Sequence, residues 1–418
     1  MTLPNIVFIT CHDTGRHLGC YGQETVVSPN LDRLAAEGVR FANSFCTAPQ
    51  CSPSRAALHT GRHAHSVGVL GLAHHPFDWY LEPSAGHLVT RLRQLGYHTA
   101  LFGGQHVTRH EWLSDLGYDY SSGEEAAPTL AQGVRSYLQA IGGSQPFYLE
   151  LDFTEAHRPY TWGGATPDDS RGVKLPPTIP DHPDAVAEFA ALQGAIRQLD
   201  EGVDVVLVAL DELRLREDTL VVFTTDHGLA MPRAKCTLYD PGIATVLLMR
   251  WPAGAVSGGR VFEQLISHVD VAPSLLEALG VSVPAGEFQG RSFWPLLQNR
   301  SYQANDAVFA EKTFHTAYEP MRGLRTATYK LILNFESGPN FDVPDDVRNG
   351  AIYPLMINQA TGHRPHVELY DLEQDPLERT NLAGRPEMME IETSLSGRLR
   401  QWMEETNDPL LEGPPKSP

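Results

Sequence analysis

The chain has 418 residues, 42% of them hydrophobic, and a formal net charge of -19 at pH 7. This length can bury a large core and leaves room for two or three domains. The negative charge argues against nucleic acid and anionic membranes as partners, because both bind basic surfaces. Apolar stretches such as residues 203–210 are much shorter than the ~20 residues that cross a bilayer, so no membrane-spanning segment is predicted.

The amino-terminal residues and the cysteines bear on the cellular compartment. Residues 1–9 lack the basic start, apolar core and small-residue cleavage site of a signal peptide. The five cysteines are spread along the chain without a C-x-x-C pair, a distribution that predicts no disulfide framework. We therefore expect a cytoplasmic protein with reduced cysteines.

Apolar runs and helical patterns alternate through the first 320 residues. The runs typical of buried parallel strands are 5–10, 98–102, 147–153, 220–225 and 245–250. Helical patterns cover 130–141, 185–199 and 269–279, the last followed by Gly280 as a helix stop. This alternation predicts an α/β fold, with a large doubly wound, mostly parallel sheet flanked by helices.

The pattern changes after Pro320. Residues 328–335 alternate between two faces, as in a half-exposed antiparallel strand, and residues 387–405 have the pattern of an amphipathic helix. The sequence therefore predicts two domains: a large α/β domain over residues 1–320, and a smaller C-terminal α+β domain with an antiparallel sheet over residues 321–418.

Polar residues follow four of the predicted strands, at the edge where open α/β sheets bind ligands. Taken singly, an Asp or His after a strand is more often a cap or turn residue. Two Asp and one or two His from different strands nevertheless suit a divalent cation: Ca²⁺ or Mg²⁺ with oxygen ligands, Mn²⁺ or Zn²⁺ where imidazole contributes. The four strand ends are Cys11-His12-Asp13, Gly103-Gly104-Gln105-His106, Thr154-Glu155-Ala156-His157 and Thr225-Asp226-His227-Gly228.

The segment that begins at Cys51 is predicted to start a helix, because Ser52 is a good N-cap and Pro53 a good first helical residue. Helix dipole and free N–H groups favour an anion or a nucleophile at that end. Arg55, a cation in the first turn, opposes the dipole and is predicted to point at an anion such as sulfate or phosphate. Taken alone, Cys51 is equally compatible with a small buried hydrophobic residue.

Residues 51–62, Cys-Ser-Pro-Ser-Arg-Ala-Ala-Leu-His-Thr-Gly-Arg, resemble the sulfatase signature C-[ST]-P-S-R-x-x-L-x-T-G. The resemblance extends to residues 4–7, to 226–228, to Lys235 with 238–243, and to 368–376. In that family, part of the alkaline phosphatase superfamily, a formylglycine-generating enzyme oxidises the motif cysteine to an aldehyde, whose hydrate is the nucleophile. The resemblance therefore implies a hydrolase of sulfate esters or sulfamates.

The resemblance also implies roles for individual residues. One divalent metal ion, with Ca²⁺ expected and Mn²⁺ or Zn²⁺ as alternatives, would be bound by Asp13, Asp226, His227 and the modified Cys51. Arg55 would hold the hydrate. Three residues would surround the sulfate: His157 and Lys235 as stabilisers of the leaving alcohol or amine, and His106 as the base that deprotonates the hydrate when sulfate is released.

Two positions depart from the family pattern. His12 stands where most sulfatases have a second aspartate, and we expect it to be a nitrogen ligand of the metal, the alternative being a place outside the ligand shell. Gly104 stands where the family usually has a lysine in a G-K-x-H stretch. Arg109, nearby in sequence, is a candidate for the missing positive charge.

The substrate is predicted only by class, as a small anion such as a sulfated sugar or an aryl or alkyl sulfate. Residues 69–79, with His74 and His75, are similar to the same region of N-sulfoglucosamine sulfohydrolases, although these histidines also suit a solvated loop. Two other functions stay open: a phosphonate monoester or phosphodiester hydrolase of the same superfamily, and a noncatalytic anion-binding protein with unmodified Cys51. The oligomeric state is not predicted.

Overall fold

Two sheets organise the chain in the computed structural model, which describes residues 3–143, 145–284, 286–416 and 418. Within these residues the large sheet has nine strands and the small sheet has four. The strands are β1 (Asn5–Cys11), β2 (Val39–Phe45), β3 (His98–Gly103), β4 (Tyr120–Ser121), β5 (Phe147–Phe153), β6 (Thr219–Thr225), β7 (Ala244–Thr245), β8 (Leu247–Arg250), β9 (Arg260–Ser267), β10 (Ala307–Phe314), β11 (Tyr318–Thr326), β12 (Tyr329–Asn334) and β13 (Val367–Asp371).

Helices fill the connections between these strands. They are α1 (Pro29–Glu37), α2 (Cys51–Thr60), α3 (Leu88–Gln94), α4 (Leu113–Leu116), α5 (Ala127–Ile141), α6 (Pro183–Glu212), α7 (Asp240–Ile243), α8 (Val271–Ala278), α9 (Trp294–Leu297), α10 (Asp345–Arg348), α11 (Tyr353–Ala360) and α12 (Met389–Glu405). The predicted helices over 130–141, 185–199, 269–279 and 387–405 correspond to α5, α6, α8 and α12. Gly280, with φ of +74°, follows α8 in the left-handed conformation predicted for a helix stop.

The large sheet has the strand order β4-β3-β5-β1-β6-β8-β2-β7, with β9 beside β2. From β4 to β6 every neighbouring pair is parallel. The strand predicted over 245–250 was wrong in two respects: it is divided at Val246 into β7 and β8, and β8 runs antiparallel to β6. The mostly parallel α/β sheet is confirmed.

Both faces of this sheet are covered, which explains why its central strands are continuously apolar. Alternate residues of β1 enter two different cores: Ile9 packs in one core with Leu130 of α5, and Phe8 packs in the other with Leu58 of α2. The central strands are thus clamped between helix layers, and their carboxyl ends form a rigid edge.

The small sheet has the antiparallel order β10-β11-β12-β13, and α12 covers one face, where Leu399 and Trp402 pack with Leu324 and Leu331. The smaller α+β unit is therefore present as predicted. The domain division at residue 320 stays a prediction, while the sheet itself begins with β10, at Ala307. Among the described residues, no helix combines the length and apolar character needed to cross a bilayer.

Candidate active site

The four polar strand ends meet at one edge of the sheet. They follow β3, β5, β1 and β6, which are consecutive neighbours in the strand order, so their carboxyl ends point the same way. Backbone hydrogen bonds continue past the strands: His12 N donates to Glu155 O at 3.3 Å, and Asp226 N donates to Cys11 O at 3.1 Å. The structure thus brings the four predicted segments together at one edge of the sheet.

Asp13, Asp226, His227 and Cys51 form a buried cluster at this edge, each at most 2% exposed. Asp13 Oδ1 lies 3.0 Å from His227 Nε2, and Cys51 Sγ lies 3.4 Å from the same nitrogen. Asp226 Oδ1 accepts the backbone N–H groups of Asp13 and His227, at 3.1 and 2.8 Å. The four predicted metal ligands are therefore neighbours in space.

The chemistry of this cluster fits a cation. His227 Nδ1 lies 3.0 Å from Gly228 O, and because a carbonyl only accepts, Nδ1 carries a proton. Nε2 therefore faces Asp13 Oδ1, an atom without a hydrogen-bond donor, and its lone pair is available to an ion when the ring is neutral. Burial alone would lower the pKa of His227, but Asp226 and Asp13 raise it to about 9, because negative charge is in excess in this cluster.

His12 extends the cluster on the side of Asp226. Its Nδ1 is buried without a hydrogen-bond partner and lies 3.5 Å from Asp226 Oδ2. His12 Nδ1 or Nε2 can also share an ion with Cys51 and Asp226, since the three ligand atoms lie within 4.8 Å of one another. The geometry is thus compatible with the predicted nitrogen ligand.

Arg55 lies beneath this cluster, 1% exposed. Its Nη1 donates to Asp152 Oδ1 at 2.6 Å, and its Nη2 donates to Asp226 Oδ2 at 3.2 Å. Burial alone would raise the pKa of Asp226, but His227 and Arg55 outweigh burial and hold that pKa well below its usual range. Together with His227, Arg55 therefore keeps Asp226 ionised, and the groups that the guanidinium contacts in the structure are two carboxylates.

The two departures from the family pattern meet at Asp152. A Cβ atom at position 104 would lie 3.3 Å from Asp152 Oδ2, and His12 Nε2 lies 3.2 Å from the same oxygen. The imidazole thus contacts the carboxylate that a side chain at position 104 would meet. Arg109, the candidate replacement, lies elsewhere, with its guanidinium carbon 4.5 Å from the centre of the Tyr80 ring.

Cys51 is the first residue of α2, and Gln50 is its N-cap. The prediction that Ser52 caps the helix was wrong: Ser52 Oγ accepts the backbone N–H of Ala73 at 2.9 Å, because tertiary packing offers it a partner outside the helix. Burial raises the pKa of the Cys51 thiol, so an unmodified Cys51 is a protonated thiol and a poor nucleophile.

Lys235 and His157 lie on the open side of the cluster. Lys235 Nζ donates to Asp13 Oδ2 at 3.1 Å and to Asp346 Oδ2 at 2.8 Å. His157 Nε2 lies 3.8 Å from Asp13 Oδ2. Burial alone would lower the pKa of Lys235, but Asp13 and the other acidic neighbours raise it well above its usual value, so Lys235 is a permanent cation.

His106 lies on the other side of His12, with the two ring centres 6.2 Å apart. Burial lowers the pKa of His106 well below its usual value, so the ring is neutral. His106 Nε2 lies 3.0 Å from His74 Nδ1, and His74 lines a cavity of about 510 Å³ together with Tyr80 and Arg109. The cavity therefore adjoins the site through His74.

Two acidic residues of the site, Asp152 and Asp346, escaped the sequence analysis. Asp152 lies within β5, where a carboxylate on a strand buried on both faces requires a partner. The acidic residue within an apolar run was therefore a feature of the sequence from which a site residue could have been predicted. Asp346 lies on the short helix α10, far from the strand ends in sequence, and only the fold brings it to Lys235.

The sulfatase family model matches residues 4–281, and the model of the C-terminal part of N-sulphoglucosamine sulphohydrolase matches residues 227–351. The chain belongs to the sulfatase family. Human N-sulphoglucosamine sulphohydrolase is 28% identical over 98% of this chain and 92% of its own. An ulvan-active sulfatase of Formosa agariphila is 29% identical over 98% of this chain and 82% of its own.

Solved structures of sulfatases have the same fold as this one. A 2-O GAG sulfatase superposes with a TM-score of 0.76 at 23% identity, covering 98% of this chain and 94% of its own. A structure in complex with D-glucosamine-2-N,6-O-disulfate superposes with a TM-score of 0.75 at 19% identity, covering 97% and 99%. The predicted class, a sulfuric ester hydrolase with a large mixed sheet and a small antiparallel sheet, is confirmed at the level of the family and the fold.

Proposed function

We propose that this sulfatase hydrolyses a sulfate ester or sulfamate through a formylglycine hydrate made from Cys51, with a divalent metal ion bound beside it. The observation that carries the proposal is a buried series of contacts, in which Cys51 Sγ lies 3.4 Å from His227 Nε2 and this nitrogen lies 3.0 Å from Asp13 Oδ1. A buried, protonated thiol is a poor nucleophile, whereas a hydrate oxygen at this position would complete a set of hard oxygen ligands.

The metal ion would be held by Asp13, Asp226, His227 and residue 51, with His12 as a further nitrogen ligand. When bound, it would polarise oxygen atoms of the nucleophile and of the sulfate. Ca²⁺ suits the carboxylate oxygens, while the imidazoles of His12 and His227 favour Mn²⁺ or Zn²⁺. Arg55 would act from below by keeping Asp226 ionised and oriented.

The positive charge of Lys235 and the ring of His157 flank the open side, where the substrate enters. In the first step a hydroxyl of the hydrate at residue 51 releases its proton to solvent and its oxygen forms a bond to sulfur, while the bond from sulfur to the leaving oxygen or nitrogen breaks. The leaving atom keeps the electron pair and takes a proton from protonated His157. Because burial lowers the pKa of His157, the protonated fraction is small at neutral pH and rises under mildly acidic conditions.

Release of sulfate requires a base on the other side. His106 is neutral and accepts the proton of the second hydroxyl of residue 51, the carbonyl bond forms, and the carbon–oxygen bond to sulfate breaks. Water then adds to the aldehyde and restores the hydrate. His106 and His157 thus divide the two proton transfers.

Two partners follow from this proposal. The substrate is a small sulfated molecule, with the cavity beside His74 as the space for a sugar or aryl group. A formylglycine-generating enzyme modifies Cys51 during biosynthesis, as the intact motif from Cys51 to Arg55 implies.

The test combines mass spectrometry with activity. The peptide that contains Cys51 is expected to lose the mass difference between a CH₂SH and a CHO group and to react with a hydrazide. The modified protein is then expected to release sulfate from aryl sulfates and from glucosamine N-sulfate, and Cys51→Ala is expected to abolish that release. Unmodified Cys51 after expression with a formylglycine-generating enzyme would instead favour an anion-binding protein, and faster turnover of a phosphodiester than of any sulfate would favour the phosphodiester hydrolase.

A further inference from the structure

Asp346 is a carboxylate at the mouth of a site built for an anion. It reaches the site from α10, in the connection between β12 and β13 of the small sheet. Its Oδ2 lies 2.8 Å from Lys235 Nζ and 4.0 Å from His157 Nε2. The side chain of Asp346 is 21% exposed, whereas that of Asp13 is fully buried, so substrate can reach the first carboxylate but not the second.

Two simpler roles for Asp346 do not account for its position. Lys235 already has a carboxylate neighbour, Asp13, at 3.1 Å, so Asp346 is not its sole counter-ion. Asp13, His157 and Asp346 are spaced to share a cation, but Lys235 Nζ lies within hydrogen-bond distance of both carboxylates. The ammonium group therefore takes the place that a second metal ion would need.

An ionised carboxylate accepts hydrogen bonds and donates none. A carboxylate placed next to Lys235 and His157, which face the leaving group, can therefore distinguish two classes of substrate by the hydrogen bond that the bridging atom offers. The bridging nitrogen of a sulfamate carries an N–H that can donate to a carboxylate. The bridging oxygen of a sulfate ester carries only lone pairs, which a carboxylate repels.

We propose that Asp346 determines specificity for sulfamates, by accepting the N–H of the bridging nitrogen while Lys235 and His157 face the same leaving group. The proposal rests on the proposed function and names its substrate class as N-sulfated amines, such as N-sulfated amino sugars. A site that accepts a hydrogen bond from a substrate N–H discriminates against an analogue that lacks it, because the carboxylate of Asp346 would then face the lone pairs of the bridging ester oxygen.

The decisive probes are N-phenylsulfamate and phenyl sulfate, which differ only in a bridging NH or oxygen. Asp346→Asn keeps the shape of the side chain and removes its charge. Because the amide oxygen still accepts the N–H but carries no charge, we expect kcat/KM for the sulfamate to fall about 10-fold, the difference between a hydrogen bond to a charged group and one to a neutral group, with a change below about 3-fold for the ester. Glucosamine N-sulfate is expected to follow the sulfamate.

Asp345→Asn is the matched control, since Asp345 lies on the same helix with a side chain that is 78% exposed and 3.7 Å from Arg348. This variant is expected to leave kcat/KM for both probes unchanged. Asp346→Glu, which keeps the carboxylate, is expected to retain part of the preference for the sulfamate. If Asp346→Asn does not yield folded protein by circular dichroism, Asp346→Ser replaces it with the same expectations.

Equal losses for both probes would show that Asp346 only positions Lys235, and would overturn the proposal. No loss for either probe, or a wild-type enzyme that cleaves the ester but not the sulfamate, would overturn it as well while leaving the sulfatase function intact. A wild-type enzyme with confirmed formylglycine that cleaves neither probe nor glucosamine N-sulfate would refute the proposed function itself.

Discussion

Asp152→Asn tests how much the buried ion pair between Asp152 and Arg55 contributes to the stability of the protein. The change removes a buried negative charge that lies 2.6 Å from Arg55 Nη1 and 3.2 Å from His12 Nε2. At an effective dielectric constant of about 20, a pair of unit charges at this separation attracts by about 6 kcal/mol. Because the amide still accepts one hydrogen bond from Arg55, and burying the pair was itself costly, we expect a net destabilisation of about 3–5 kcal/mol.

The assay is urea unfolding of wild type and variant, followed by fluorescence and circular dichroism, together with kcat/KM for an aryl sulfate. Activity is expected to fall as well, since Arg55 would lose one of the two carboxylates that orient it beneath Asp226. The matched control is Asp204→Asn, which breaks a pair of similar length, 2.7 Å, between Arg33 and Asp204 on the surface. That control is expected to cost less than about 1 kcal/mol. A similar cost for both variants would refute the argument that burial makes the Asp152 pair critical.

Three further outcomes are expected. Chelation should lower the free energy of unfolding, and Ca²⁺ or Mn²⁺ at a hundred times the dissociation constant should restore it by about 3 kcal/mol, because the cation compensates the adjacent Asp13 and Asp226. Calorimetry with and without the ion measures this as a shift of the unfolding temperature, and an unchanged transition would contradict the proposed metal site. Lys235→Ala should reduce kcat/KM for aryl sulfates at least tenfold, as measured by steady-state kinetics. The variant should still form formylglycine, as measured by mass spectrometry. Full activity would exclude Lys235 from the substrate site. Burial lowers the pKa of both His59 and His87 to about 3. Their contribution to the free energy of unfolding is therefore complete above pH 6.5 and is lost as the pH falls towards 3, with a loss of about 2 kcal/mol for each histidine at pH 5. The urea midpoint should decrease between pH 7.5 and pH 5, and a midpoint that does not change with pH would contradict the burial of neutral histidines.

The sequence was sufficient to predict most of the fold and the strand ends that meet at the candidate site. Strands β1, β3, β5 and β6 are buried on both faces, so each is a short apolar run with polar residues directly after it. Parallel strands deliver their carboxyl ends to one edge, and this rule alone brings His12, His106, His157 and Asp226 together. The motif at Cys51 is contiguous, so its chemistry could also be predicted without a structure.

The tertiary structure decided which charges meet. Arg55 pairs with Asp152, 97 residues away, and Lys235 pairs with Asp346, 111 residues away. Periodicity reports which face of an element is buried, but not the partner that a buried charge finds on another element. The strand order, the antiparallel direction of β8 and the position of α10 beside the site all arise from packing between distant segments. This packing alone determines that Asp152 lies beneath the proposed metal site and Asp346 at its mouth.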